Sequence, residues 1–134
     1  MKRFLPGLLF AAQLFMGSAW AQQVVVPATT NTISVTGTIA AATVIVTGVA
    51  GQRIYVTAVG LVPVATSVVT FTSGTGAGCG TGTANVTGAM TFSAGQVLTF
   101  GDGYGAVWVL PAGASLCITI ATAVAPGSLA YSQF

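Results

Sequence analysis

The sequence predicts an all-β fold, a two-sheet antiparallel sandwich of jelly-roll type, and three observations carry that prediction. Short runs rich in Val, Ile, Thr and aromatic residues alternate with Gly, Ser, Asn and Pro along residues 22–134, the pattern of strands punctuated by turns. Several of those runs alternate between apolar and polar residues with period two, as half-buried strands do. No window sets a polar face against an apolar one at helical spacing, so no helix is expected after the first 21 residues.

Those first residues have the organisation of a secretory signal peptide. Lys2 and Arg3 form a basic start, residues 4–16 an apolar core, and Ala19-Trp20-Ala21 places small residues at both positions of an A-x-A cleavage site. The apolar run is shorter than the roughly 20 residues that span a bilayer. No Cys follows the cleavage point, so no lipid anchor is expected there. The expected organisation is a signal helix at 1–21, removed on export, and one domain at 22–134, secreted to the periplasm or beyond. A chain of that length can bury a core of its own.

Nine strands are expected in order, at 32–36, 43–47, 53–62, 67–73, 84–90, 96–100, 106–110, 115–121 and 128–132. In the run at 115–121, Leu116, Ile118 and Ile120 share one face and Cys117 and Thr119 the other. Val69 and Phe71 face away from Val68, Thr70 and Thr72. At 53–62, Ile54, Val56, Ala58 and Val62 fall on one side, with Tyr55, Thr57, Val59 and Leu61 on the other. Both sides of that run are largely apolar, as in a central strand. Eight or nine short strands separated by turns predict a sandwich, and the lack of a fixed-period repeat argues against a solenoid.

Charge bounds the function more tightly than any motif. After Ala21 the only charged side chains are Arg53 and Asp102, and there is no His, Glu or Lys. Proton transfer and nucleophile activation need a group that titrates near the working pH, so the sequence predicts a protein that is not an enzyme and uses no cofactor. Arg53 and Asp102 cancel, which leaves no basic patch for phosphates and excludes nucleic acid as a partner. The two ions either pair with each other or are both solvated. In an oxidising compartment Cys79 and Cys117 are most simply a disulfide. It would close a loop of about 39 residues, worth roughly 4 kcal/mol on the chain-entropy account. A metal pair lacks ligands, since zinc takes about four.

Residues 74–82, GTGAGCGTG, look at first like a phosphate cradle. No register gives G-x-G-x-x-G, and no helix or Lys-Ser/Thr follows, so a long flexible hairpin loop pinned by Cys79 is the better reading. Asp102, in Gly101-Asp102-Gly103-Tyr104-Gly105, is one carboxylate where calcium needs several, and an Asp turn closed on its own backbone is expected instead. Asp102, Tyr104 and Trp108 are the candidate ligand contacts. Tyr104 and Trp108 could form an aromatic platform for a sugar ring, although Trp108 within Ala106-Val107-Trp108-Val109-Leu110 also fits a core position. Phe134 at the end raises a small outer-membrane barrel, but stepping back by two gives Ser132, Ala130 and Ser128, not a lipid-facing row, and a membrane location is not expected.

A resemblance adds to this reading. Gly51-Gln52-Arg53-Ile54-Tyr55-Val56 opens a strand, Val69-Thr70-Phe71 precedes the Gly-rich Cys79 loop, and Thr87-Gly88-Ala89-Met90 follows it. Leu110-Pro111-Ala112-Gly113-Ala114-Ser115-Leu116-Cys117 and Gly127-Ser128-Leu129-Ala130-Tyr131 then close the chain. In this order residues 50–134 resemble small jelly-roll proteins of tailed-phage virions and environmental bacteria. The resemblance implies a homo-oligomeric surface or decoration role and brings no active-site residue. The signal peptide departs from the virion pattern and favours a secreted bacterial version. A nearly neutral chain whose edge strands lack charged gatekeepers points the same way, to self-association, most simply as a trimer that covers those edges. A glycan, cell-surface or virion partner is the competing expectation.

Overall fold

The computed structural model describes residues 31–38, 42–102, 104–121 and 123–134. The expected signal segment 1–21 lies outside them. Among the described residues there are ten strands: β1 Asn31–Thr38, β2 Thr43–Val46, β3 Ile54–Leu61, β4 Ser67–Thr75, β5 Thr81–Asn85, β6 Met90–Phe92, β7 Leu98–Phe100, β8 Trp108–Val109, β9 Ser115–Ile120 and β10 Ala123–Gln133. A single 3-10 turn, Ala77–Cys79, lies between β4 and β5.

The strands form two five-stranded antiparallel sheets. Sheet A runs β1-β10-β3-β7, with β8 also on β3; sheet B runs β2-β9-β4-β5, with β6 also on β4. Strands are paired from the outside of the chain inward: β1 with β10, β2 with β9, β3 with β7 and β8, and β4 with β5 and β6. Successive pairs go to alternate sheets, so the chain is one long hairpin rolled over itself. That arrangement is the jelly roll expected from the sequence.

Between the sheets lie Ile54, Val56, Val59 and Leu61 of β3, Val69 and Phe71 of β4, Leu116, Ile118 and Ile120 of β9, and Leu129 of β10, none more than 2% exposed. Burial on that scale contributes about 1.5–3 kcal/mol per large side chain. The apolar side chains turn inward, the reverse of the outward apolar band of a membrane barrel. Among the described residues no helix is long and apolar enough to cross a membrane.

Three departures from the expected strands are local irregularities of a ladder, one a bulge and two interruptions. On β3 the pairing with β10 moves from Val56↔Tyr131 to Ala58↔Ala130, leaving Thr57 as a bulge. A bulge shifts the two-residue alternation by one. Val59 and Leu61 therefore join Ile54 and Val56 in the core, although strict alternation puts them on opposite faces. The Thr57 hydroxyl donates to the Ala130 carbonyl at 3.2 Å.

The run expected at 84–90 is two strands, β5 and β6. Residues 86–89 leave the ladder because Phe71 takes its partners locally. Its N–H donates to Thr87 Oγ1 at 3.0 Å, and its carbonyl accepts from the N–H groups of Val86 and Thr87. Similarly, β7 and β8 are one edge of sheet A interrupted at residues 101–107, opposite Thr57 and Ala58.

The edges are thus blunted without charge. The pairing of β1 breaks between Val35 and Gly37, and β2 carries an extra residue at Ile45. Both remaining edges have the interruptions just described. Bulged, interrupted edges are poor templates for another strand, which replaces the expectation of bare edges needing cover.

Candidate functional site

The 74–82 segment is better ordered in its contacts than a flexible hairpin loop. β4 and β5 extend to within a few residues of its tip, and the 3-10 turn folds onto the outer side of sheet B. There Cys117 faces outward from β9, paired with Val44 of β2 and Thr72 of β4. Cys79 reaches it to form the expected disulfide, with Cα atoms 6.2 Å apart and both residues fully buried. The glycines have a steric explanation. Gly78 sits at φ 58°, and a Cβ there would lie 2.6 Å from the Ala42 carbonyl oxygen, so only glycine lets the turn lie this close. Thr83 donates its hydroxyl to the Cys79 carbonyl. With both thiols in the bridge, neither cysteine is a nucleophile or a metal ligand.

The expected ligand contacts lie on the β7–β8 edge. Gly101 turns the chain out of β7 with φ 70°, and its hypothetical Cβ would stand 2.2 Å from the Thr57 carbonyl oxygen. Gly101→Ala is therefore expected to cost roughly 2–3 kcal/mol, read from urea unfolding; a loss within 0.5 kcal/mol, about what an ordinary surface substitution costs, would show that the excursion relaxes freely.

Asp102 Oδ1 accepts the N–H of Tyr104 at 3.1 Å, the expected turn closed on its own backbone. Gly103 lies outside the described residues. The Tyr104 side chain is 87% exposed. Trp108 turns the other way. Its ring is half-buried between the sheets, 4.9 Å from the Phe71 ring and 5.3 Å from the Phe100 ring, tilted against both. Tilted pairs at these distances are favourable aromatic contacts. The structure therefore separates the three candidates: Asp102 and Tyr104 stand in solvent, and Trp108 belongs chiefly to the inter-sheet packing.

A different aromatic pair occupies the outer face of sheet A. Tyr55 and Phe134 stack with ring centroids 4.4 Å apart and planes 5° from parallel. The pair is positioned by backbone: Arg53 N–H donates to the Phe134 carbonyl at 2.8 Å, and Phe134 N–H returns to the Arg53 carbonyl at 3.2 Å. Val109 of β8 is directly opposite Tyr55. The same outer row contains Ala130 and Ser128 of β10, opposite Ala58 and Gly60, so the aromatics stand at one end of a face of small residues. Spacing by two back from Phe134 contains this row, but the sequence does not reveal that Tyr55 stands beside its end.

Arg53 and Asp102 are both exposed. This end of sheet A, with its adjoining edge, carries Tyr104, Val107, Val109 and Phe134, four of the eight exposed large hydrophobic side chains among the described residues. Exposed apolar side chains gathered in one region mark an interaction surface more often than scattered ones do. The arrangement offers flat aromatic and aliphatic contact, backbone amides and one ion of each sign.

Compared with family models, curated proteins and solved structures, the chain matches none of them.

Proposed function

We propose that this is an exported, non-enzymatic structural or interaction protein that works as a homo-oligomeric surface component. The observation that carries the reading is the character of its skin: among the described residues one exposed cation, one exposed anion, and exposed Val109 and Phe134 at one end of sheet A with Tyr104 and Val107 on the adjoining β7–β8 edge. Such a surface lacks the net charge that keeps proteins apart and has the aromatic content of association surfaces. The buried disulfide and the absence, among the described residues, of a helix able to cross a membrane are compatible with export. A virion decoration role is a variant of this reading, favoured if genes for capsid or tail proteins lie beside this one.

Sedimentation equilibrium of the disulfide-intact protein at micromolar concentration tests it. A mass that is a multiple of the single chain is expected, and a strictly monomeric species would overturn the reading. Tyr104, 87% exposed on the β7–β8 edge, favours a second reading, a carbohydrate-binding module. A glycan array with no binding would remove that one.

A further inference from the structure

We infer that the outer face of sheet A around Tyr55 is a two-fold contact between copies of this chain, closed at its rim by Arg53 of each copy against Asp102 of the other. The inference rests on the self-association reading above and names its surface.

The charges point to a second copy as the occupant. Arg53 is exposed one residue before β3, while Asp102 is exposed one residue after Gly101, which lies against the Thr57 carbonyl on the neighbouring edge. Along β3 the two levels are four residues apart, about 13 Å at the rise of a strand. Tyr55 lies midway. A two-fold axis crossing β3 at Tyr55, in the plane between two such faces, reverses the strand direction. It brings each Arg53 to the level of its mate's Asp102. The sideways offset is roughly one strand spacing, about 4.8 Å, within reach of an arginine side chain. The same axis lays Tyr55 against Tyr55 and Val109 against Val109. A two-fold contact must be self-complementary in this way, and a surface with one ion of each sign at mirrored levels about an apolar centre satisfies it.

The rest of the molecule argues for this face over other routes. Every edge is bulged or interrupted, so strand addition is disfavoured. The outer face of sheet B is partly covered by the disulfide-pinned turn.

Charge exchange tests the proposal. Sedimentation velocity at low salt is measured for the disulfide-intact protein, for Arg53→Asp, for Asp102→Arg and for the double variant, with circular dichroism confirming the fold of each. The dissociation constant is expected to rise at least about tenfold in each single variant, to return close to wild type in the double variant, and to rise again in Tyr55→Ser. Wild-type-like assembly by all of these variants would overturn the face while leaving self-association intact. A monomeric wild type would overturn both. A glycan array on which wild type binds and Tyr55→Ser does not, with no change in mass, would overturn the contact and assign the face to sugar.

Discussion

Replacing both cysteines with serine is expected to lower the unfolding free energy by about 4 kcal/mol. For a domain of this size that corresponds to a fall in Tm of roughly 10–20 °C. The bridge spans 38 positions, so its removal frees a large part of the unfolded chain. In the folded state it joins the turn after β4 to the middle of β9, fastening that turn on the outer side of sheet B. Cys79 holds φ 58°, which costs an L-residue about 1–2 kcal/mol. The variant with glycine at 79 and serine at 117 should therefore be about 1 kcal/mol more stable than the double serine variant, because glycine enters this region freely. Thermal and urea unfolding, with and without reductant, measure both differences. A loss under about 1 kcal/mol on removing the bridge would mean that packing alone holds the turn.

Phe71→Ala is expected to cost about 3–5 kcal/mol. Phe71 is fully buried at the centre of β4 and its ring meets Trp108 of the opposite sheet. Alanine there removes the ring without touching the backbone bonds to Val86 and Thr87, so the loss reports the cavity and the lost aromatic contact. Trp108 is the only tryptophan outside the expected signal segment, which gives the change a direct signature. Its emission should move to the red as the ring loses its buried partner and gains water. Phe71→Leu, which keeps most of the volume, should lose less. Equal losses for the two variants, or unchanged Trp108 emission, would show that this ring pair does not join the sheets.

The fold was legible in the sequence because its signals are local. Leu116, Ile118 and Ile120 alternate with Cys117 and Thr119, and the structure puts those three aliphatics in the core. The segment at 67–73 behaves the same way, with Val69 and Phe71 buried. The disulfide followed from the chemistry of a compartment. At 53–62 alternation failed. One bulge at Thr57 switches the inward face, and nothing in Tyr55-Val56-Thr57-Ala58 distinguishes a bulge from a regular strand. Residues 86–89 left their expected strand because Thr87 supplies a hydroxyl to the backbone of Phe71, a partner 16 positions away.

The candidate site was less legible. Asp102 closes the expected turn, and Tyr104 is exposed beside it. Trp108 fits both a platform and a core position, since an edge-strand residue can turn to either side of its sheet; contact with Phe71 and Phe100 decides for the inter-sheet space. The Tyr55–Phe134 stack is not legible in the sequence because its two rings are 79 positions apart in the chain and meet only through the pairing of β3 with β10.

Composition and spacing alone point to a β-sandwich with an apolar interior, a cystine between Cys79 and Cys117 and almost no ionic surface. The bulge at Thr57, the inward turn of Trp108 and the aromatic pair on sheet A were decided only by tertiary structure. The reason is that side-chain alternation is a property of neighbours along a strand, whereas register is set by partners such as Thr57 and Ala130, 73 residues apart. A slip of one residue between such partners changes which side chains the surface shows.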